Sequence, residues 1–226
     1  MEAPADVPIR DAATVIVLRE GREGPRVLMG QRGAKAAFMP SKFVFPGGAV
    51  DVSDAYVEPA TALRAEVEVA LQAQNLGPRP SAIAAAAVRE LWEEAGLPLS
   101  TSGTAPVAQG WDAFCDGDKR PHFSPLSFIF RAVTPPGRPR RFDARFFFVN
   151  ADAFDVDLDD FTHAEDELSH LSWIGLREAR DLPLPFITEI VLAEVEDILD
   201  TGPDGREIPF FNHGAERSHV SLLKQA

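Results

Sequence analysis

A helix presenting three glutamates beside an apolar stripe constrains this chain more than any other stretch of its sequence. Between Ser81 and Gly96, the residues Ala84, Val88, Leu91 and Ala95 recur at helical spacing. At about 100° per residue, Glu90, Glu93 and Glu94 fall together on the neighbouring stripe. Ser81 is the predicted N-cap, and Gly96 stands where a left-handed residue ends a helix. Such a helix packs by one face and gathers carboxylates on another. Like charges about 4 Å apart repel by about 4 kcal/mol at an effective dielectric of about 20, so the cluster asks for a counterion. A hard divalent cation, Mg2+ or Mn2+, answers that demand with carboxylate oxygens, retained waters and substrate phosphates as its shell. Glutamate is also a strong helix former, and a Glu-rich face is ordinarily solvated and inert. The ordered string Arg89-Glu90-Leu91-Trp92-Glu93-Glu94-Ala95-Gly96-Leu97 argues otherwise. Its pattern arises by chance on the order of once in ten million starts.

Around this helix the chain alternates extended and helical signals. Ala12–Arg19 and Arg26–Gln31 are β-branched or apolar runs flanking a turn-rich segment and predict a hairpin, and Lys42–Phe45 predicts a strand halted by Pro46-Gly47-Gly48. Pro59–Leu76 carries Leu63, Val67, Ala70 and Leu71 on one stripe and reads as an amphipathic helix. Ser127–Val133, Phe142–Val149 and Leu171–Ile174 are further strands, Phe186–Leu199 is a last helix, and residues 200–226 form a polar tail. The class is mixed α/β or α+β.

The string from Arg89 to Leu97 resembles the second half of the Nudix box, which reads G-x5-E-x7-R-E-U-x-E-E-x-G-U with U a bulky apolar residue. Phe45-Pro46-Gly47-Gly48 resembles the family's entry loop, and five residues after Gly48 comes Asp54, where the family has Glu. Thirty-four residues then separate Asp54 from Arg89 instead of seven, so an insertion carrying the Pro59–Leu76 helix splits the box. The Phe38-Met39-Pro40 lead-in, VFPGGAVD, the split box and PRRFDARFFF at Pro139–Phe148 resemble the branch that includes acyl-coenzyme A diphosphatases.

The resemblance implies an α/β/α sandwich with a mixed sheet, one domain over 1–226 with a core at about 11–199, a helical insertion at 55–80 and a tail at 200–226. It implies Glu90 and Glu94 as principal ligands of Mg2+ or Mn2+, Glu93 as a third reached directly or through water, and the Gly47 carbonyl from the loop. Arg89 would orient the carboxylates. Glu165 or Glu167, before Trp173, would supply the general base, with Asp166 a weaker third. Arg32, Arg140, Arg141 and Arg145 are candidate diphosphate clamps, because a planar guanidinium grips phosphate oxygens in pairs. The implied reaction is hydrolysis of a nucleoside diphosphate joined to another group, coenzyme A or acyl-coenzyme A among the candidates, with ADP-ribose or a dinucleotide as the alternative.

Composition bounds the remaining choices. A net charge of −13 argues against a nucleic-acid surface. No run approaches the roughly 20 apolar residues of a membrane span, and Met1–Arg10 has no leader character, so a cytoplasmic protein is expected. The arginines at 131, 138, 140, 141 and 145, followed by an acidic run from Asp152 to Glu167, suggest an anion site beside a cation site, or solvated faces. Phe43, Phe45, Phe146 and Phe148 read as core, the five histidines as structural, and the lone Cys115 as a packed thiol rather than an isomerase nucleophile. A nucleotide-sensing domain of this fold would be expected to have lost box carboxylates; this one keeps three. The stripe of Leu63, Val67 and Leu71 must be covered, whether over the site or in a homodimer.

Overall fold

The two β-branched runs pair as the expected hairpin. β1 (Ile9–Gly21) and β2 (Gly24–Arg32) meet antiparallel from Leu18↔Val27 to Gly21↔Gly24. Beyond that register their partners change: β3 (Phe43–Val44) pairs with β2 at Gly30 and Gln31, whereas β4 (Gly47–Ala49) pairs with β1 at Ala12–Thr14. The Pro46-Gly47-Gly48 segment, expected only as a stop, thus contributes a short strand of its own. This computed structural model describes residues 7–73, 78–213 and 218–223.

A 3-10 turn (Ser53–Tyr56), α1 (Ala65–Gln72) and α2 (Pro80–Ala95) follow. After a small hairpin of β5 (Ser100–Ser102) and β6 (Lys119–Pro121) come β7 (Ser127–Val133), β8 (Arg141–Asn150) and β9 (Leu168–Gly175). The chain continues through α3 (Leu176–Ala179), α4 (Phe186–Thr201), β10 (Ile208–His213) and β11 (Ser218–Leu223). The main sheet runs β11-β10-β7-β8-β1-β2-β3, with β4 beside β1 and β9 beside β2. It is mixed, since β8 lies parallel to β1 and β10 parallel to β7 while the remaining pairs are antiparallel.

Strand alternation sorts the core into two layers. Ala13, Val15, Val17 and Phe147 face α1 and α2, whereas Ile16, Leu18, Phe146 and Phe148 face α3 and α4. The result is the α/β/α sandwich expected from sequence. Phe45, Phe146 and Phe148 are buried, so core packing accounts for them. Along α2, Ala82 to Val88 are buried without exception, and the small alanines let the helix lie close against β1.

Several boundaries differ from expectation. The N-cap of α2 is Arg79 with no side-chain cap bond, and Pro80 opens the helix; a proline with preset φ and no N–H to satisfy displaces Ser81 from that role. The helix expected at Pro59–Leu76 is shorter: Thr61 bridges to His122 in extended backbone, α1 begins only at Ala65, and residues 74–77 lie outside the described residues. Its stripe packs on the chain's own core through Val67, Ala70 and Leu71, and so needs no second copy to cover it. Residues 208–213 and 218–223 of the expected tail are strands that extend the sheet, because Phe210 and Phe211 register with Arg131 and Ala132 of β7. No helix among the described residues is long and apolar enough to cross a membrane.

Candidate active site

Gly96, at φ 70°, closes α2 in the left-handed conformation, and the last two turns before it carry the glutamates. They are not equally exposed. Glu94 is 3% exposed, while Glu90 and Glu93 side chains reach 13% and 35%. β4 brings the glycine loop onto this face. The Gly47 N–H donates to Glu94 Oε2 at 2.7 Å, and a Cβ on Gly48 would collide with the Glu90 carboxylate. A Cβ on Gly47 would fall 2.5 Å from the Ala13 carbonyl oxygen, a backbone atom, so Gly47 tolerates no side chain.

Arg89 ties the site together. Its Nε and Nη2 donate to the two oxygens of Asp54 at 3.0 and 3.1 Å, its Nη1 to Glu90 at 2.9 Å and Glu93 at 2.8 Å, and Nη2 also to the Ala49 carbonyl at 2.9 Å. Burial opposes the guanidinium charge, but Asp54, Glu90 and Glu93 together hold its pKa above the ordinary arginine value. Asp54 is fully buried, and its second oxygen also accepts the Asp51 N–H at 2.8 Å.

Two groups distant in sequence join them. Arg32, at the end of β2, donates to Glu167 at 2.6 Å, and this pair lies within electrostatic reach of Glu94, with Glu167 also acting on Glu90. The Glu165 N–H donates to the Glu93 carbonyl at 2.7 Å, and its carboxylate acts on Glu93. Both acids expected outside the box therefore act on the glutamates of α2, Glu165 on Glu93 and Glu167 on Glu90 and Glu94.

The other arginines go elsewhere. Arg145 is 2% exposed and ion-paired with Asp11 and Asp143, so it is buried structure rather than an open phosphate clamp. Arg131 is likewise paired with Asp143 at 2.6 Å. Arg141 sits at the start of β8 opposite Ile9, four residues before the Arg145↔Ala13 register that leads to Gly48, hence roughly 13 Å along the strand from the carboxylates. Arg140 is exposed beside it. The arginine run and the acidic run thus do not form one composite site: strand register buries Arg131 and Arg145 in the sheet, while Asp159 pairs with Arg19.

The donor chemistry suits a divalent cation. Burial, reinforced by neighbouring carboxylates, pushes Glu90 up to about 7 and Glu94 up to about 8, and Oε1 of Glu94 is buried without a hydrogen-bond partner. Burial also raises Glu93, against the pull of Arg89. Among the described residues no three acidic, imidazole or thiol side chains converge into a ligand shell, since Arg89 draws Glu90 and Glu93 toward itself. An orphaned oxygen on one of two neighbouring carboxyls of raised pKa is nonetheless what a hard cation satisfies.

Glu90 and Glu94 titrate in the folded protein above the usual 4.5, so the metal-free fold binds the extra protons. Their contribution is complete below about pH 4.5 and is lost as pH rises through about 7 and 8. The metal-free melting temperature is expected to fall by several degrees from pH 6 to pH 8.5, and millimolar Mg2+ to restore it at pH 8.5 but barely at pH 6 (about these values). Calorimetric scans in chelator and in Mg2+ measure this; a loss of stability equal in both buffers would reject the pairing of these groups with a cation.

A mixed sheet lies between helical layers, and a glycine loop faces the glutamate-rich end of a helix. A NUDIX domain model matches residues 8–194 of this chain. The chain belongs to the Nudix family, whose enzymes generally use divalent metal ions. It is similar, at 31% identity over 83% of its length, to a Caenorhabditis elegans protein carrying the provisional name nudix hydrolase 7, of which it spans 62%. A crystal structure of a NUDIX hydrolase from Alicyclobacillus acidocaldarius is similar with TM-score 0.60 and 28% identity, covering 89% of this chain and 100% of that one. The NUDIX domain of Shewanella oneidensis NrtR, complexed with ADP ribose, shares the fold at TM-score 0.50 and 10% identity, over 88% of this chain and 94% of that one.

Counting from Gly48 reaches Asp54 in the sequence, but nothing local signals that this turn residue closes on an arginine thirty-five positions away.

Proposed function

We propose that this chain is a divalent-cation-dependent Nudix pyrophosphohydrolase that cleaves the diphosphate bond of a nucleoside diphosphate linked to another moiety. The observation carrying the proposal is the buried, partnerless Oε1 of Glu94 beside Glu90, faced by the Arg32–Glu167 pair. Glu90 and Glu94 are the proposed principal cation ligands, with Glu93 and the Gly47 carbonyl as further donors, and Arg89 keeps the carboxylates in place from Asp54. When bound, the cation neutralises phosphate charge and acidifies water.

Glu167 is the preferred base. It acts on both Glu90 and Glu94, whereas Glu165 lies toward Glu93 alone, so Glu167 is the acid closer to where an attacking water would stand. It takes the proton as the water oxygen bonds to one phosphorus and the bridging P–O bond breaks toward the departing phosphate. Arg32 then grips the phosphate oxygens. Asp54 bonded to Arg89 across the intervening α1 supports the reading of a box split by an insertion. That split, with VFPGGAVD and PRRFDARFFF, favours coenzyme A or acyl-coenzyme A as the finer substrate class.

Purified protein with Mg2+ is to be offered coenzyme A, acetyl-coenzyme A, ADP-ribose, NADH and diadenosine tetraphosphate in parallel. The expected result is a nucleoside monophosphate product, carrying the 3′-phosphate when the substrate is a coenzyme A. Tight binding of a panel member with no turnover at high enzyme concentration would reject hydrolysis in favour of a sensor.

A further inference from the structure

Glu165, Asp166 and Glu167 lie against a helix that itself carries Glu90, Glu93 and Glu94, and Asp157, Asp159 and Asp160 precede them. Like charges repel across that contact; the Arg32–Glu167 pair at 2.6 Å offsets the charge of one of these acids, and the segment carries more. On the helix, Trp92 lies about 100° round from Glu93 and farther from Glu90 and Glu94, and it is half-buried. The imidazole of His163 stacks on it at 5.5 Å and 28°, while Phe114 meets it edge-on at 6.2 Å and 88°. Two residues beyond His163 comes the Glu165 N–H bond to the Glu93 carbonyl. Gly96 leaves room for the crossing: a Cβ there would come within 3.1 Å of the Ala164 nitrogen and 3.3 Å of His163. The far end is fixed as well, by Trp173 Nε1 donating to the Leu158 carbonyl at 3.0 Å and by Arg19, which covers Trp173 at 4.3 Å and pairs with Asp159 at 2.9 Å.

We infer that Trp92 and His163 form a ring-stacked latch that positions the Glu165–Glu167 segment over the glutamates of α2. Neither touches the reacting atoms; they are positioning residues. Flat-ring contact supplies an attraction that acidic side chains do not weaken, and it registers the Glu165 amide on the helix end. The consequence for turnover rests on the hydrolase reading above, whereas the geometry does not.

His163→Ala is the decisive variant, because the imidazole is exposed and the core does not depend on it. Amide exchange followed by NMR is expected to show the Glu165 N–H exchanging at least about tenfold faster in His163→Ala, with the α2 core amides unchanged. On the best substrate of the panel, kcat is expected to fall by about tenfold to a hundredfold with KM within about twofold. His163→Phe and Trp92→Phe keep a flat ring and are expected to restore both readouts. Wild-type exchange at Glu165 in His163→Ala, or a His163→Phe as impaired as His163→Ala, would overturn the latch. Full turnover by both Glu165→Gln and Glu167→Gln would instead reject the base assignment, and exchange at Glu165 would still decide the latch.

Discussion

Glu94→Gln is expected to lower hydrolysis at least about a thousandfold, equivalent to about 4 kcal/mol of transition-state stabilisation, while leaving the metal-free fold intact. Glu94 is held up to about 8 by burial, so at neutral pH without a cation it is largely a neutral carboxyl, and glutamine reproduces its shape and neutrality. The amide oxygen also keeps the Gly47 N–H bond that Oε2 now accepts. What the variant lacks is the ability to become an anion when a cation arrives. Metal-free melting at pH 7 should therefore match wild type within about a degree, and the stabilisation by Mg2+ should shrink. Product formation by chromatography and melting in parallel test both halves. Equal rates in the two proteins would remove Glu94 from the cation site.

The second large effect concerns stability as well as rate. Arg89→Met leaves the fully buried carboxylate of Asp54 without its cation, and breaking one side of a buried pair costs about 3–5 kcal/mol. For a chain of this size a melting temperature lower by about 10 °C is expected. It also frees Glu90 and Glu93 from the 2.9 and 2.8 Å bonds that set their position, so turnover should fall with it. Adding Asp54→Asn to Arg89→Met removes the stranded charge and should recover part of the stability but little of the activity, a coupling that a double-mutant cycle isolates. Additive losses from the two substitutions would mean that the Asp54–Arg89 contact does not tie the turn to the helix.

Local chemistry made much of the architecture readable beforehand. The hairpin of β1 and β2, the span of α2 to within two residues and the helix at Phe186 all follow from periodicity and turn residues, which act between near neighbours. The misreadings are non-local. Ile208–Phe211 lacks an obvious signal yet becomes a strand because β7 offers an open edge, and Pro59–Arg64 leaves the helix because Thr61 finds His122 sixty-one residues away. Arg145 and Arg32 look alike in a sequence. The register of β8 buries the first among Asp11 and Asp143, and the end of β2 delivers the second to Glu167.

Helical periodicity alone puts Glu90, Glu93 and Glu94 on a common side of one helix and ends it at Gly96, since a period of about 3.6 residues needs no tertiary information. The order of those residues also carries the family. The partners that complete the site come from the folded chain: Asp54 closing on Arg89, Arg32 paired with Glu167, and a Trp92–His163 stack holding an acidic segment against an acidic helix. Those contacts join residues 35 to 135 positions apart, and packing and strand register, not spacing along the chain, set such meetings.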